Sequence, residues 1–311
     1  MDVSKIDEHV YEIDVEAAGV RGFVASYVLK GEKIAIVETG PTSSIPKLVK
    51  GLRSLRVKAE EVEYVAVSHI HLDHGGGVGT LIKHLPKAKV LVHQKGAPHL
   101  ASPERLWQQS KATLGRLAEF YGEPEPVPWE RIVEAYEGMS IELDGDFKIS
   151  VLETPGHASH HLSFYEPLGR RIFTGDAAGM YLKNLEVVFP TTPPPFRLDL
   201  ALASLERLSG LKPKALFYTH YGVAYDAIPK IRAYAEQLRL WAEIAKESVE
   251  TGLSLNHAEL KVVKRDEAAR RAVEYFKSIG VLGENVLSVS LQGIIDFVKI
   301  SDAHFKPGFP P

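Results

Sequence analysis

Between Val67 and Gly77 the chain reads VSHIHLDHGGG, which places His69, His71, Asp73 and His74 within six consecutive positions ahead of three glycines. Imidazoles and carboxylates at this density are not surface decoration, and burying them requires something to neutralise and hydrogen-bond them. His69 and His71 are two apart, so in an extended chain they project to one side. The Gly75-Gly76-Gly77 run is expected to let the backbone curl back through unusual φ values and bring in Asp73 and His74. The same punctuation recurs more sparsely downstream: VLETPGH ends at His157, RIFTGDAAG delivers Asp176, and LFYTHYG delivers His220. A lone histidine at a strand end is ordinarily a structural residue, and a lone TGD is a turn. Their occurrence together and in order, each after an apolar β-branched run, favours coordination.

These residues need elements to hold them. GFVASYVL (22–29) and KIAIVE (33–38) read as the strands of a hairpin, and EYVAVSH (63–69) and AKVLVH (88–93) as buried strands. Helical apolar spacing covers 44–55 and 77–85, and a longer amphipathic helix is predicted over 103–121, closed by Gly122 and the turn-rich EPEPVP. Further strands are expected at 141–153 (a hairpin about Asp144-Gly145), 161–166, 170–176, 185–189 and 214–220, with a helix at 199–210. The coordinating residues therefore fall at the carboxyl ends of strands, where α/β sheets place their ligand sites. From Asp226 the pattern changes to one long amphipathic helix, then two more over RDEAARRAVEYFKSIG and ENVLSVSLQGIIDFVKIS. The expected organisation is a catalytic unit at 1–222 and a helical extension at 223–311. The extension reads as a packing cap or a homodimer interface, part of which could roof the site.

Composition narrows the chemistry. The chain has 311 residues, 45% hydrophobic and 25% charged, with net charge −3. No basic excess invites nucleic acid or an anionic membrane, and no apolar run approaches the roughly 20 residues that span a bilayer. The polar, strand-like start MDVSKIDEHVYEID is unlike a signal peptide, so a cytoplasmic location is expected. There is no cysteine, which excludes disulfides, thiolate nucleophiles and sulfur-held metals, so any metal is held by His, Asp or Glu. No GxSxG elbow supports serine-hydrolase chemistry. The absence of cysteine, 19 prolines and many Lys, Arg and Glu residues also suit a heat-adapted protein.

The HxHxDH of His69, His71, Asp73 and His74, the PGH of His157, the TGD of Asp176 and the TH of His220 together resemble the metallo-β-lactamase superfamily. IVETG at 36–40 resembles its DTG motif, with Glu38 where that family usually has Asp. The resemblance covers about residues 8–222. It implies an α+β fold, a four-layer αβ/βα sandwich, followed here by the helical extension. It further implies two metals, one on His69, His71 and His157, the other on Asp73, His74 and His220, with Asp176 bridging. Seven N/O ligands are too many for one tetrahedral ion and suit two divalent ions sharing a carboxylate. Imidazole favours zinc, iron or manganese over magnesium or calcium, with zinc the default. A bridging hydroxide would attack an acyl or phosphoryl centre without a nucleophilic side chain, and Asp73 would also orient it or relay a proton.

Several further residues are candidates. Glu38 is expected to orient a ligating histidine. His161 is expected beside the ligands or in the pocket, and His160 to be solvated. Tyr181 and Tyr221 follow ligands closely, and either phenol could polarise a substrate carbonyl or simply pack there. Trp107, Phe196 and Pro193-Pro194-Pro195 could wall an apolar pocket or form a rigid loop. The leading expectation is a binuclear hydrolase of a small thioester, lactone, carboxylic ester or phosphoester, similar to glyoxalase II or the lactonases of the family. The alternatives are a mononuclear-iron oxidoreductase resembling persulfide dioxygenases and an RNA- or DNA-processing nuclease. No nucleic-acid or membrane partner is expected.

Overall fold

The computed structural model describes residues 3–283 and 285–305. Met1, Asp2, Glu284 (the first residue of the last predicted helix) and the tail from Lys306 lie outside the described residues. Seven strands form the first sheet in chain order: β1 Val3–Lys5, β2 Val10–Asp14, β3 Ala25–Lys30, β4 Ile34–Val37, β5 Val62–Ala66, β6 Lys89–His93 and β7 Ile132–Ala135. The first four pair antiparallel; β4 through β7 pair parallel. Parallel neighbours require crossovers. These are supplied by α1 Ile45–Ser54, by α2 Val78–Ile82, and by the excursion α3 Ala97–Ala101, α4 Glu104–Leu114 and α5 Arg116–Tyr121.

The second sheet contains β8 Ser140–Asp144, β9 Phe147–Glu153, β10 Leu162–Glu166 and β11 Arg171–Gly175. A small hairpin of β12 Met180–Leu182 and β13 Val187–Phe189 and the helix α6 Leu198–Gly210 then cross over to β14 Ala215–Tyr218, which lies parallel to β11, and β15 Gly222–Ala224 closes the edge.

Strand alternation divides the apolar residues between two cores. Ala25, Tyr27 and Leu29 of β3, Ile149 and Val151 of β9, and Phe173 of β11 face the space between the sheets, with Ala215 and Phe217 of β14. The opposite-parity residues, among them Val28, Ile36, Ile172 and Leu216, turn outward and join the helices. Tyr27 pins the inner core: its ring meets Phe173 and Phe217 edge-on at 5.3 Å, and its hydroxyl donates to the Tyr218 carbonyl at 2.6 Å. On α1, Ile45, Leu48 and Leu52 face inward at helical spacing, and Gly51 lets the helix sit on Ile13, which a Cβ would meet at 2.8 Å. The result is the expected four-layer αβ/βα sandwich.

The helical extension comprises α7 Ala227–Thr251, α8 Leu255–Arg265, α9 Glu267–Ser278 and α10 Val286–Phe305. Trp241, Phe276, Leu291 and Ile294 continue the outer apolar core of the sandwich, with Phe189 of β13 set edge-on to both Trp241 and Phe276. Asp266 anchors the bundle from a buried position. It caps α9 by accepting the Ala269 N–H at 2.9 Å and accepts the Trp241 Nε1–H at 2.8 Å.

Three expectations need correction. The helix predicted over 103–121 is broken at Gly115, whose φ of 53° ends α4 and starts α5. The strand β7, the three-residue strands β12 and β15, and the helix α8 were not foreseen. β15 extends the second sheet to Ala224. Strand β5 ends at Ala66, so His69 and His71 lie in the following turn and not on extended chain.

Candidate metal centre

All seven expected residues meet at the strand ends. The turn after β5 supplies His69, His71, Asp73 and His74; His157 follows β9, Asp176 follows β11, and His220 follows β14. The turn coils tightly, with His74 and Gly75 both donating to the His71 carbonyl at 3.0 Å before α2 begins. The three glycines serve this turn through space rather than through φ: none has positive φ. A Cβ on Gly75 would lie 2.8 Å from the His69 carbonyl oxygen, on Gly76 2.3 Å from that of Leu72, and on Gly77 2.9 Å from that of Gly40. Positive φ appears elsewhere. Gly156 (φ 145°) precedes His157 where a Cβ would strike the Ala201 backbone of α6 at 2.5 Å. Gly175 (φ 51°) precedes Asp176 where it would strike His161 and Ser68 at 2.6 Å.

The donor atoms form two groups sharing a carboxylate. His71 Nδ1 lies 2.9 Å from His69 Nε2 and 3.0 Å from His157 Nε2. Asp73, His74 and His220 form the second group, with His220 Nε2 3.4 Å from Asp73 Oδ2. Asp176 lies between: Oδ1 is 3.3 Å from His74 Nε2 and 3.8 Å from His220 Nε2, while Oδ2 is 3.4 Å from His157 Nε2. His69, His74, His157, Asp176 and His220 are buried; His71 and Asp73 are partly exposed and mark the open side.

Surrounding groups aim the ring nitrogens. His157 Nδ1–H donates to the Thr191 carbonyl at 2.8 Å and His220 Nδ1–H to that of Phe23 at 3.2 Å, so Nε2 of each ring faces inward. Glu38, in the left-handed region at φ 68°, accepts the Ser68 N–H at 2.9 Å and sets its other oxygen 3.3 Å from His74 Nδ1. The longer side chain thus still reaches a histidine, as expected. His161 accepts the Asp176 backbone N–H on Nε2 at 3.0 Å and so carries its proton on Nδ1, 2.9 Å from Thr154 Oγ1; Thr154, Ser163 and the Thr174 carbonyl continue the chain. His160, expected to be solvated, is instead half-buried, 6.2 Å from the rings of both His69 and His71.

Electrostatics follow from burial and from the two carboxylates. Burial and the neighbouring imidazoles push His69 well below its ordinary pKa and His71 down to about 3; burial likewise lowers His157 and His161. Burial also pulls on His74, but Asp176 and Glu38 outweigh it and raise its pKa well above the usual value. Burial pushes Asp73 and Asp176 upward, yet the His220 hydrogen bond and His74 hold Asp73 low, and His74 and His157 hold Asp176 well below the carboxylate range. The cluster therefore sets the neutral imidazoles of His69, His71 and His157 and a His74 that favours its protonated form against two ionised carboxylates. Asp176 Oδ1 and His74 Nε2 are buried without a hydrogen-bond partner, and His220 Nε2 faces carboxylate oxygens of Asp73 and Asp176. Divalent cations satisfy all three, so the residues fit a metal centre.

The phenols expected near the chemistry are turned elsewhere. The Tyr181 ring packs 5.2 Å from Tyr218 beneath Lys230, and Tyr221 hydrogen-bonds the buried Glu12. Their backbones serve the site instead: the Tyr181 N–H donates to the His220 carbonyl and the Tyr221 N–H to that of Tyr181. Phe196 is buried in the outer core, and Trp107 is half-buried with Lys111 over its ring. Sequence reasoning missed Tyr121, a buried residue of α5 whose hydroxyl feels Asp73 and Asp176. It also missed Thr191, whose hydroxyl donates to Asp176 Oδ2 at 3.3 Å.

The family described as the metallo-beta-lactamase superfamily matches residues 19–220. A metallo-beta-lactamase fold-containing protein of Sulfurisphaera tokodaii is 31% identical over 207 residues, 65% of this chain and 74% of that one. A crystal structure of an archaeal superfamily protein from Sulfolobus tokodaii superposes with a TM-score of 0.64 at 29% identity, covering 76% of this chain and 86% of that one. A hydroxyacylglutathione hydrolase of Idiomarina loihiensis is 25% identical over 73% of this chain and 75% of its own length. An N-acyl homoserine lactonase of Azorhizobium caulinodans is 29% identical over 42% of this chain and 46% of its own length. The match spans the body that carries every residue of the cluster, and the chain belongs to the metallo-beta-lactamase superfamily as one of its hydrolases.

Proposed function

We propose that the chain is a binuclear metallohydrolase acting on a neutral ester-type substrate: a lactone, a thioester or a carboxylic ester. The observation that carries this reading is the grouping of six side chains, three and three, about the two oxygens of the seventh, Asp176. His69, His71 and His157 would hold one ion, and Asp73, His74 and His220 the other, with Asp176 shared; zinc is the default for imidazole-rich sites of this kind. Two such ions supply Lewis acidity, lowering the pKa of water and polarising the scissile carbonyl.

The chain's own residues do the remaining work. Glu38 and the carbonyls of Phe23 and Thr191 orient His74, His220 and His157. Asp73, the carboxylate on the open side, is placed to orient the attacking water and accept its proton. Tyr181 and Tyr221 take no part in the chemistry. Among the described residues, the charges that shift the cluster's groups most are its own histidines and carboxylates. That balance disfavours phosphate mono- and diesters, whose recognition relies on Arg and Lys, and it sets a nucleic-acid substrate aside. The names of the lactonase and thioester-hydrolase relatives accord with an acyl substrate.

The test is hydrolysis of a γ-lactone, an aryl acetate, an acyl thioester and an aryl phosphodiester by the purified protein. Turnover of at least one acyl substrate, lost on chelation and in Asp176→Ala and His71→Ala, is expected. Phosphodiester turnover exceeding every acyl rate would overturn the substrate class, and full activity in either variant would overturn the centre.

A further inference from the structure

The segment between β13 and α6 is held from two sides. Toward the cluster, the Thr191 carbonyl accepts the His157 Nδ1–H at 2.8 Å and the Thr191 hydroxyl donates to Asp176 Oδ2 at 3.3 Å. Toward the helical extension, the Thr192 hydroxyl, fully buried, donates to the Ser290 carbonyl of α10 at 2.6 Å. One turn further along, α10 passes so close that a Cβ on Gly293 would sit 1.9 Å from the Thr192 carbonyl oxygen and 3.0 Å from the Pro193 carbonyl carbon. Tyr234 of α7 reaches the same segment, hydrogen-bonding the backbone of Thr191.

A helix that only covered apolar surface would not need this approach. Gly293 lies inside α10, where glycine is less favourable than alanine, and the penalty falls at the point of contact with Thr192. We infer that the helical extension positions the metal centre: α10, seated at Gly293 and Ser290, sets the height of Thr191–Thr192, and Thr191 aims His157 and Asp176. Thr191, Thr192 and Gly293 are positioning residues acting through those two. This inference rests on the proposed metal-binding role of the cluster.

The test is equilibrium dialysis of chelated, full-length protein against Zn²⁺, with the visible spectrum of the Co²⁺-substituted protein as a reporter of ligand geometry. Thr192→Val removes the bond to α10 at nearly constant shape, and Gly293→Ala forces the segment and the helix apart. Asp266→Ala loosens the extension at a point remote from Thr192. Outer partners of metal ligands are worth about 10–100-fold in affinity. Thr192→Val and Gly293→Ala should weaken at least one ion by that factor and alter the cobalt spectrum, while Asp266→Ala leaves both unchanged. Wild-type affinity and spectrum in Thr192→Val would overturn the inference, as would equal losses in Asp266→Ala, which would reduce the extension to general packing. If Gly293→Ala does not fold, Thr192→Val decides alone. Wild-type protein that binds no Zn²⁺ would instead overturn the metal-centre reading itself.

Discussion

Replacing His161 with leucine isolates one link that holds the centre together without touching a candidate ligand. The ring accepts the Asp176 backbone N–H at 3.0 Å and donates to Thr154 Oγ1 at 2.9 Å, and all three residues are buried. Leucine is of similar bulk, so the dominant consequence is a buried N–H with no acceptor. An orphaned buried donor costs about 1–3 kcal/mol, or about 5- to 150-fold in the folding equilibrium. The Thr154 hydroxyl keeps its contact with Ser163 Oγ at 2.9 Å, so its share of the loss is small. Urea unfolding of the chelated protein, followed by tryptophan fluorescence, measures the loss free of any metal contribution. Thr154→Val and the double variant complete a cycle, and the shared hydrogen bond predicts a coupling of about 0.5 kcal/mol or more between the two sites. A His161→Leu variant within about 0.5 kcal/mol of wild type, or strict additivity in the cycle, refutes the relay.

Other perturbations have equally definite outcomes. In the metal-free chain His69, His157 and His161 are held neutral by burial, below their unfolded value of about 6.5. The unfolded state therefore takes up protons first, and stability falls as the pH drops below about 6.5, by about 1.4 kcal/mol per pH unit for each imidazole fully suppressed. His74 has the opposite shift; its contribution is complete below about pH 6.5 and is lost only as pH rises through its raised value, so it adds no slope in the acid range. Urea midpoints with chelator at about pH 7.5 and about pH 5.5 check this, and a flat or rising profile contradicts it. Gly156→Ala combines φ 145° with a Cβ 2.5 Å from the Ala201 backbone and should lower stability by about 2 kcal/mol or more, read as a fall in Tm. Glu38→Gln keeps an acceptor for Ser68 N–H but removes the charge facing His74, and should weaken Zn²⁺ binding about tenfold in dialysis. Asp266→Ala strips the Trp241 Nε1–H and the α9 cap of their acceptor and should cost about 2–4 kcal/mol in urea unfolding.

The cluster was legible because its residue types are rare at strand ends and its spacing survives in one dimension. His157, Asp176 and His220 could each be located by an apolar run ending in a small-residue turn, and the structure brings them to the HxHxDH turn from three different strands. The reasons behind the flanking residues were not legible. Gly75–Gly77 exclude side chains from backbone carbonyls packed against them, a fact of tertiary approach that looks identical in sequence to a demand for positive φ. Tyr181 and Tyr221 sit next to ligands in the chain, yet strand geometry and Glu12 turn their phenols away, while Thr191 and Tyr121 approach the site from distant segments that carry no local signal. Three-residue strands such as β12 and β15 are too short for any period to show.

Two ions sharing Asp176 are read most directly by plasma mass spectrometry on protein purified without added metal or chelator. Close to two divalent ions per chain are expected in the wild type, zinc foremost, with the loss of at least one in Asp176→Ala. A single ion per chain in fully active wild-type protein would contradict this reading, and if that ion were iron alone, an oxygen-dependent oxidoreductase would take the hydrolase's place.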